Sequence, residues 1–241
     1  MKKLKLGPLQ VTAAGGSDRE GGGDGPAIVL CHGYGAPGDD LVSIARVVAG
    51  SRELRWFFPE APLELDLGFG MAGRAWWNID MMRLQEAMMR GQARQLAGET
   101  PEGMAEARAA LEECLAEITA RFGLARERTV IGGFSQGAMV TTEIALHAEQ
   151  PFAGLVVLSG SLVSEDRWRA AAGSSGPTLD VLMSHGRADP LLPFEGAEAL
   201  RALLEGAGAR VTWVPHAGGH ELPTVALDRL GAFLRERLTT Q

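Results

Sequence analysis

The sequence predicts an α/β protein with a mostly parallel central sheet and helices on both faces. Three observations carry that reading. Short apolar runs recur at 27–31, 54–58, 129–131, 154–159, 179–183 and 209–214, as expected of strands buried on both sides. Helix-period stretches separate most of them, and such alternation implies parallel strands joined by crossover helices. Several runs end in Gly, His, Ser or Asp, and in such sheets ligands bind outside the carboxyl ends of the strands.

Taken in order, residues 4–13 alternate loosely and read as an edge strand, followed by a Gly-rich turn through 21–26. The run 27–31 leads into His32-Gly33-Tyr34-Gly35. A helix is expected from Asp39-Asp40, whose carboxylates suit a helix N-terminus, to Gly50. The strand 54–58 stops at Pro59. Between 61 and 98 the pattern turns irregular, with Trp76, Trp77, Met81, Met82, Met88 and Met89. This stretch reads as an insertion over a pocket. Its methionines suit either an adaptable apolar wall or ordinary helix core. Met104, Ala107, Leu111, Cys114, Ile118 and Phe122 recur three and four apart, and Gly123 ends that helix. A helix over 193–205 and a final amphipathic helix after His220 complete the chain. With no repeat and no break in composition, 1–241 is expected to form a single domain, with 61–98 as a lid or pocket insertion.

A net charge of −7 and the lack of any Lys/Arg block argue against nucleic acid as a partner. No window approaches the roughly 18 apolar residues of a spanning helix, so no stable membrane association is expected. Met1-Lys2-Lys3 opens as a signal peptide would, but Lys5 and Gly7-Pro8 interrupt it. The 2 cysteines make no disulfide framework, which suits a reducing, cytoplasmic setting. The oligomeric state is open, a homodimer included.

The chemistry centres on Gly133-Phe-Ser-Gln-Gly137. In a chain with 32 glycines the Gly-x-Ser-x-Gly pattern alone is weak. Here it follows a β-branched run and opens a helix, the layout of a nucleophile elbow that presents the Ser135 hydroxyl. Serine is a poor nucleophile until a neighbouring base takes its proton. His220 is the expected base, preferred over His216 because it opens the last helix, and Asp189 is the expected carboxylate on its far nitrogen. The order Ser135, Asp189, His220 is that of an α/β-hydrolase. The oxyanion donors are expected to be the backbone N–H groups of Tyr34 and Gln136. Trp76, Trp77, Met81 and Leu191 are candidate substrate contacts, the two tryptophans chiefly as packing residues at the pocket rim. His32 and His185, which end strands beside the site, are expected to support it.

Blander readings exist for several of these. Asp189 precedes Pro190 and could simply form a turn. His216 and His220 lie four apart, a spacing used by zinc ligands, but Gly218-Gly219 between them reads as a loop and no His-Glu-x-x-His order is present. No metal is expected. Cys31, at a strand end, is expected to be buried and inert. A hydrolase fold that only binds a ligand would be signalled by a missing member of the triad, and none is missing.

Leu30-Cys-His-Gly-Tyr-Gly35, Arg74-Ala-Trp-Trp-Asn-Ile-Asp80, Gly133-Phe-Ser-Gln-Gly-Ala138, His185-Gly-Arg-Ala-Asp-Pro-Leu-Leu-Pro193 and Gly218-Gly-His220 together resemble the phospholipase/carboxylesterase family. That family includes acyl-protein thioesterases and small bacterial carboxylesterases. The resemblance implies a cofactor-free serine hydrolase of the α/β-hydrolase fold, acting on a small-molecule ester or thioester, and a pocket built from the one modest insertion at 61–98 favours a short-to-medium acyl group. Thioesterase and lysophospholipase activity are alternatives. Its roles fall on Ser135, Asp189, His220, Tyr34 and Gln136. The chain departs from the family at Tyr34, where Leu is common, and at Trp76-Trp77-Asn78, where Trp-Phe-Asp is common.

Overall fold

Ten strands and six helices are defined in a computed structural model that describes residues 1–48, 53–68, 70–80, 82–83, 86, 89–90, 98–174 and 179–238. In chain order they are β1 (Lys2–Leu6), β2 (Leu9–Gly15), β3 (Ala27–Cys31), α1 (Ile44–Val47), β4 (Arg55–Pro59), β5 (Leu63–Asp66), β6 (Ala72–Ala75), α2 (Met104–Phe122), β7 (Thr129–Phe134), α3 (Gln136–His147), β8 (Gly154–Leu158), α4 (Glu165–Ser174), β9 (Asp180–Gly186), α5 (Phe194–Gly206), β10 (Arg210–His216) and α6 (Thr224–Leu238).

Eight strands form one sheet in the order β1-β2-β4-β3-β7-β8-β9-β10, and β5 and β6 pair separately. From β4 through β10 every neighbour is parallel, whereas β1–β2 and β2–β4 are antiparallel. The loosely alternating stretch at the N-terminus is therefore a hairpin of two strands rather than one, because Gly7 turns the chain at φ 57°. The expected helix after Asp39 is also shorter than its pattern suggested: a 3₁₀ turn over Asp40–Ser43 runs into the four residues of α1.

Alternate strand residues feed opposite faces, as a period of two requires. Val29, Cys31, Ile131, Leu155, Val157, Val181 and Met183 pack with apolar residues of α2, α3, α4 and α5. Ile28, Leu30, Val130, Val156, Leu158 and Leu182 pack with α1 and α6. Strands buried on both sides read as continuous apolar runs for this reason.

Helix α3 is buried on every side from Gln136 to Leu146, not along one stripe. Its polar residues are consequently satisfied internally. The Thr141 and Thr142 hydroxyls donate to the carbonyls of Gly137 (2.9 Å) and Ala138 (2.7 Å). The Glu143 carboxylate, fully buried, accepts from Arg108 of α2, from Arg167 of α4 and from the Trp168 indole at 2.6 Å. Removing that one carboxylate would strand its partners, a loss of about 3 kcal/mol. This network holds α2 and α4 against the helix that begins just after Ser135.

Candidate active site

The residue joining β7 to α3 is strained. Ser135 lies at φ 54° and ψ −118°, a conformation that L-residues rarely adopt and that persists only where the surroundings impose it. Its amide donates to the Leu158 carbonyl of β8 (2.8 Å), and its carbonyl accepts from Ala138 and Met139. Close approach explains the flanking glycines. A Cβ on Gly137 would stand 2.2 Å from the Cys31 carbonyl oxygen, and one on Gly133 would stand 2.4 Å from the Gly137 carbonyl carbon. Strand β3 and the first turn of α3 thus touch backbone to backbone. The same approach brings Gly33 against Ser135, where a Cβ on Gly33 would lie 3.2 Å from the serine Cβ.

Asp189 and His220 come from loops that are stitched together. The Arg187 and Ala188 amides donate to the His216 and Gly218 carbonyls (2.8 and 3.1 Å), and Gly186 leaves no room for a Cβ beside Gly218 and Gly219. The Asp189 carboxylate is thereby buried, with Oδ2 2.7 Å from His220 Nδ1 and Oδ1 accepting from the Leu191 and Leu192 amides, both at 2.9 Å. Asp189 is both a turn former and a partner of the imidazole. Burial pushes its pKa up, but the His220 bond and the two amides outweigh burial and hold it below the ordinary 3.8. A carboxylate only accepts, so Nδ1 of His220 carries the proton and Nε2 keeps a lone pair. The imidazole lies against Phe134, ring centroids 4.7 Å apart, immediately before Ser135 in the chain.

His185 is fully buried beside Asp189, with Nε2 donating to the Leu192 carbonyl (2.9 Å). Burial holds the His185 and His32 rings below the ordinary 6.5, so both are neutral near pH 7. Their unfolded counterparts take up protons more readily, so together these rings destabilise the fold as pH drops below about 6.5. Cys31 is buried, which pushes its thiol well above the ordinary 9.0, and burial raises Cys114 to about 12. Neither is a nucleophile at neutral pH.

The two candidate oxyanion amides are those of Gln136, the residue after Ser135, and of Tyr34, the residue after the Gly33 that packs on Ser135. Gln136 opens α3, so its N–H has no acceptor within the helix. Tyr34 follows Gly33, and among the described residues its amide donates to no protein acceptor. The Gln136 side chain, by contrast, has a task that the sequence did not reveal. It accepts from the Trp76 amide and donates to the Trp77 carbonyl, both at 2.8 Å, fastening residues 76 and 77 of the 61–98 stretch to the elbow.

Trp76 and Trp77 are 1% and 3% exposed. Both belong to the buried apolar core, in keeping with a packing role. Leu191, at 46%, is open to solvent next to Asp189. Met82 and Met89, at 83% and 76%, belong to no core, against one of the two expectations for this cluster. Met81 and Met88 lie outside the described residues. Among the described residues no group of three His, Cys, Asp or Glu side chains could hold a metal ion, and no helix is long and apolar enough to cross a membrane.

A profile of the phospholipase/carboxylesterase family matches residues 21–238. The chain belongs to that family. Acyl-protein thioesterase 1 of Gibberella zeae is 28% identical over 222 residues, covering 88% of this chain and 90% of its own. Its counterpart in Yarrowia lipolytica is 28% identical over 172 residues, covering 70% and 71%. Among solved structures, esterase PE8 aligns with a TM-score of 0.77 at 28% identity, covering 98% of this chain and 100% of that one. A carboxylesterase from Mesorhizobium loti shares the fold, with a TM-score of 0.71 at 18% identity over 100% and 99% of the two chains. The protein is an α/β-hydrolase of the carboxylesterase and thioesterase type.

Proposed function

We propose that this chain is a carboxylesterase that forms an acyl-enzyme on Ser135. The observation that carries the assignment is the 2.7 Å bond between Asp189 and a His220 ring packed on Phe134, beside a serine held at φ 54°. Ser135 Oγ attacks the substrate carbonyl and gives its proton to His220 Nε2. Negative charge then develops on the carbonyl oxygen, where the Tyr34 and Gln136 amides receive it. His220 returns the proton to the departing alkoxide as the C–O bond breaks. A water, deprotonated by the same nitrogen, releases the acid. Asp189 holds the ring in its Nδ1–H form and stays charged throughout.

We read the 61–98 stretch as a lid, a role supported by the ties of its residues 74–77 to the elbow and to the 33–36 loop, where the Gly35 and Arg74 amides donate to the Arg74 and Ala36 carbonyls. Leu191 offers the acyl group an apolar contact. A lid built from one modest insertion favours short-to-medium acyl chains. The two buried, unpaired cysteines suit a cytoplasmic enzyme. The names of the two fungal relatives support a second reading, thioester hydrolysis by the same steps. Initial rates on p-nitrophenyl acetate, butyrate, octanoate and palmitate, set beside the matching acyl thioesters, test both. Highest kcat/KM on butyrate or octanoate esters is expected. A preference for palmitate or for thioesters would overturn the chain-length and oxyester assignments respectively.

A further inference from the structure

We propose that His32 is a positioning residue that sets the direction of the Tyr34 oxyanion donor through its hydrogen bond to the Gly33 carbonyl. This rests on the acyl-enzyme reading above and adds a residue that does not touch the substrate. His32 Nδ1 is 2.7 Å from the Gly33 carbonyl oxygen, and His32 Nε2 is 2.9 Å from the Ala61 amide nitrogen. A carbonyl can only accept and a backbone amide can only donate. The ring is therefore the Nδ1–H tautomer, with Nε2 bare. The ring is buried, and burial keeps it neutral against its own bond to the Gly33 carbonyl and the fields of Asp40 and Glu60, which favour the charged form; Arg74 disfavours it.

The consequence follows from peptide geometry. The Gly33 carbonyl and the Tyr34 N–H belong to one planar trans unit and point to opposite sides of it. Holding the oxygen therefore aims the N–H. The other described donor to that oxygen, the Ala36 amide, is 3.5 Å away, so the ring supplies the short bond. His32 is itself restrained from outside: the Trp76 indole donates to its carbonyl at 3.0 Å, and Ala61 lies at the start of the 61–98 stretch. The segment proposed as a lid is thus wired to the oxyanion donor through one neutral imidazole.

Two variants separate the ring's bonds. His32→Asn puts an amide nitrogen near the place of Nδ1 and gives up Ala61. His32→Gln puts an amide oxygen near the place of Nε2 and gives up the Gly33 carbonyl. His32→Gln is expected to lose roughly 10- to 100-fold in kcat on p-nitrophenyl butyrate, with KM changed by less than about twofold. Affinity for a trifluoromethyl ketone, whose adduct carries the oxyanion, should fall in step with kcat. His32→Asn should stay within about fivefold of the parent. Equal losses in both variants, or a His32→Gln enzyme at parental kcat, would overturn the assignment. Should neither variant fold, ¹⁵N spectra of the unaltered enzyme decide: a protonated Nδ1 with a bare Nε2 supports it, and the opposite tautomer removes it. A parent enzyme with no turnover and no adduct on Ser135 would instead defeat the underlying reading.

Discussion

Ser135→Ala is expected to lower kcat on p-nitrophenyl butyrate by on the order of 10⁴-fold or more, with no loss of fold. The Oγ is the atom that bonds to the acyl carbon, so nothing else in the site can take its place in that step. What remains after its removal is the pair of oxyanion amides and the shaped pocket, which together retain only a small fraction of the catalysis. Alanine tolerates the position no worse than serine, since both carry a Cβ at the same φ of 54°. The thermal midpoint should therefore be unchanged or slightly raised, as is common when a strained functional residue is simplified. A variant within tenfold of parental kcat would show that another group attacks the substrate.

Gly137→Ala is expected to cost the fold heavily for a single added methyl group. The added carbon would lie 2.2 Å from the Cys31 carbonyl oxygen and 2.5 Å from both the Cys31 carbonyl carbon and the His32 carbonyl oxygen. All three are backbone atoms, so no rotamer change relieves the overlap. Either α3 or β3 must move, at the centre of the sheet. The expected loss exceeds about 4 kcal/mol. For a domain of this size that lowers the midpoint by roughly 10 °C or more. Whatever folds should also be slow, because His32 and the oxyanion loop shift with β3. Gly206→Ala is the matched control. It stands at the end of α5, has nothing within 4 Å of the new carbon, and should be neutral or stabilising by up to about 1 kcal/mol. Calorimetry of both variants checks the pair, and a Gly137→Ala midpoint within a few degrees of the parent would contradict the close-packing account.

The parallel core was legible because its strands are buried on both faces and so carry unbroken apolar runs. The elbow was legible for a different reason: Gly133 and Gly137 are demanded by backbone contacts that leave a trace in the sequence. Asp189 and His220 were placed by their positions after strands, and the structure adds the loop bonds that bring them together. Less visible were side chains whose partners lie far along the chain. Nothing near Gln136 announces that its amide holds Trp76 and Trp77, residues 60 and 59 positions away. His32 gave a partial signal by standing next to the oxyanion glycine, but its bond to Ala61 spans 29 residues. The hairpin of β1 and β2 escaped because its residues alternate only loosely and the turn at Gly7 is short. Trp76 and Trp77 carried two readings, packing and substrate contact, because aromatic residues beside a pocket and aromatic residues beneath one look alike in sequence.

The central claim is that one serine, activated by one imidazole, carries the acyl group. Ser159 and Ser164 share the left-handed backbone of Ser135, at φ 48° and 51°, so the claim can fail in a specific way. Reaction with a fluorophosphonate followed by peptide mapping should give one adduct per chain, on Ser135. Labelling at Ser159, at Ser164 or nowhere in the folded protein would contradict it.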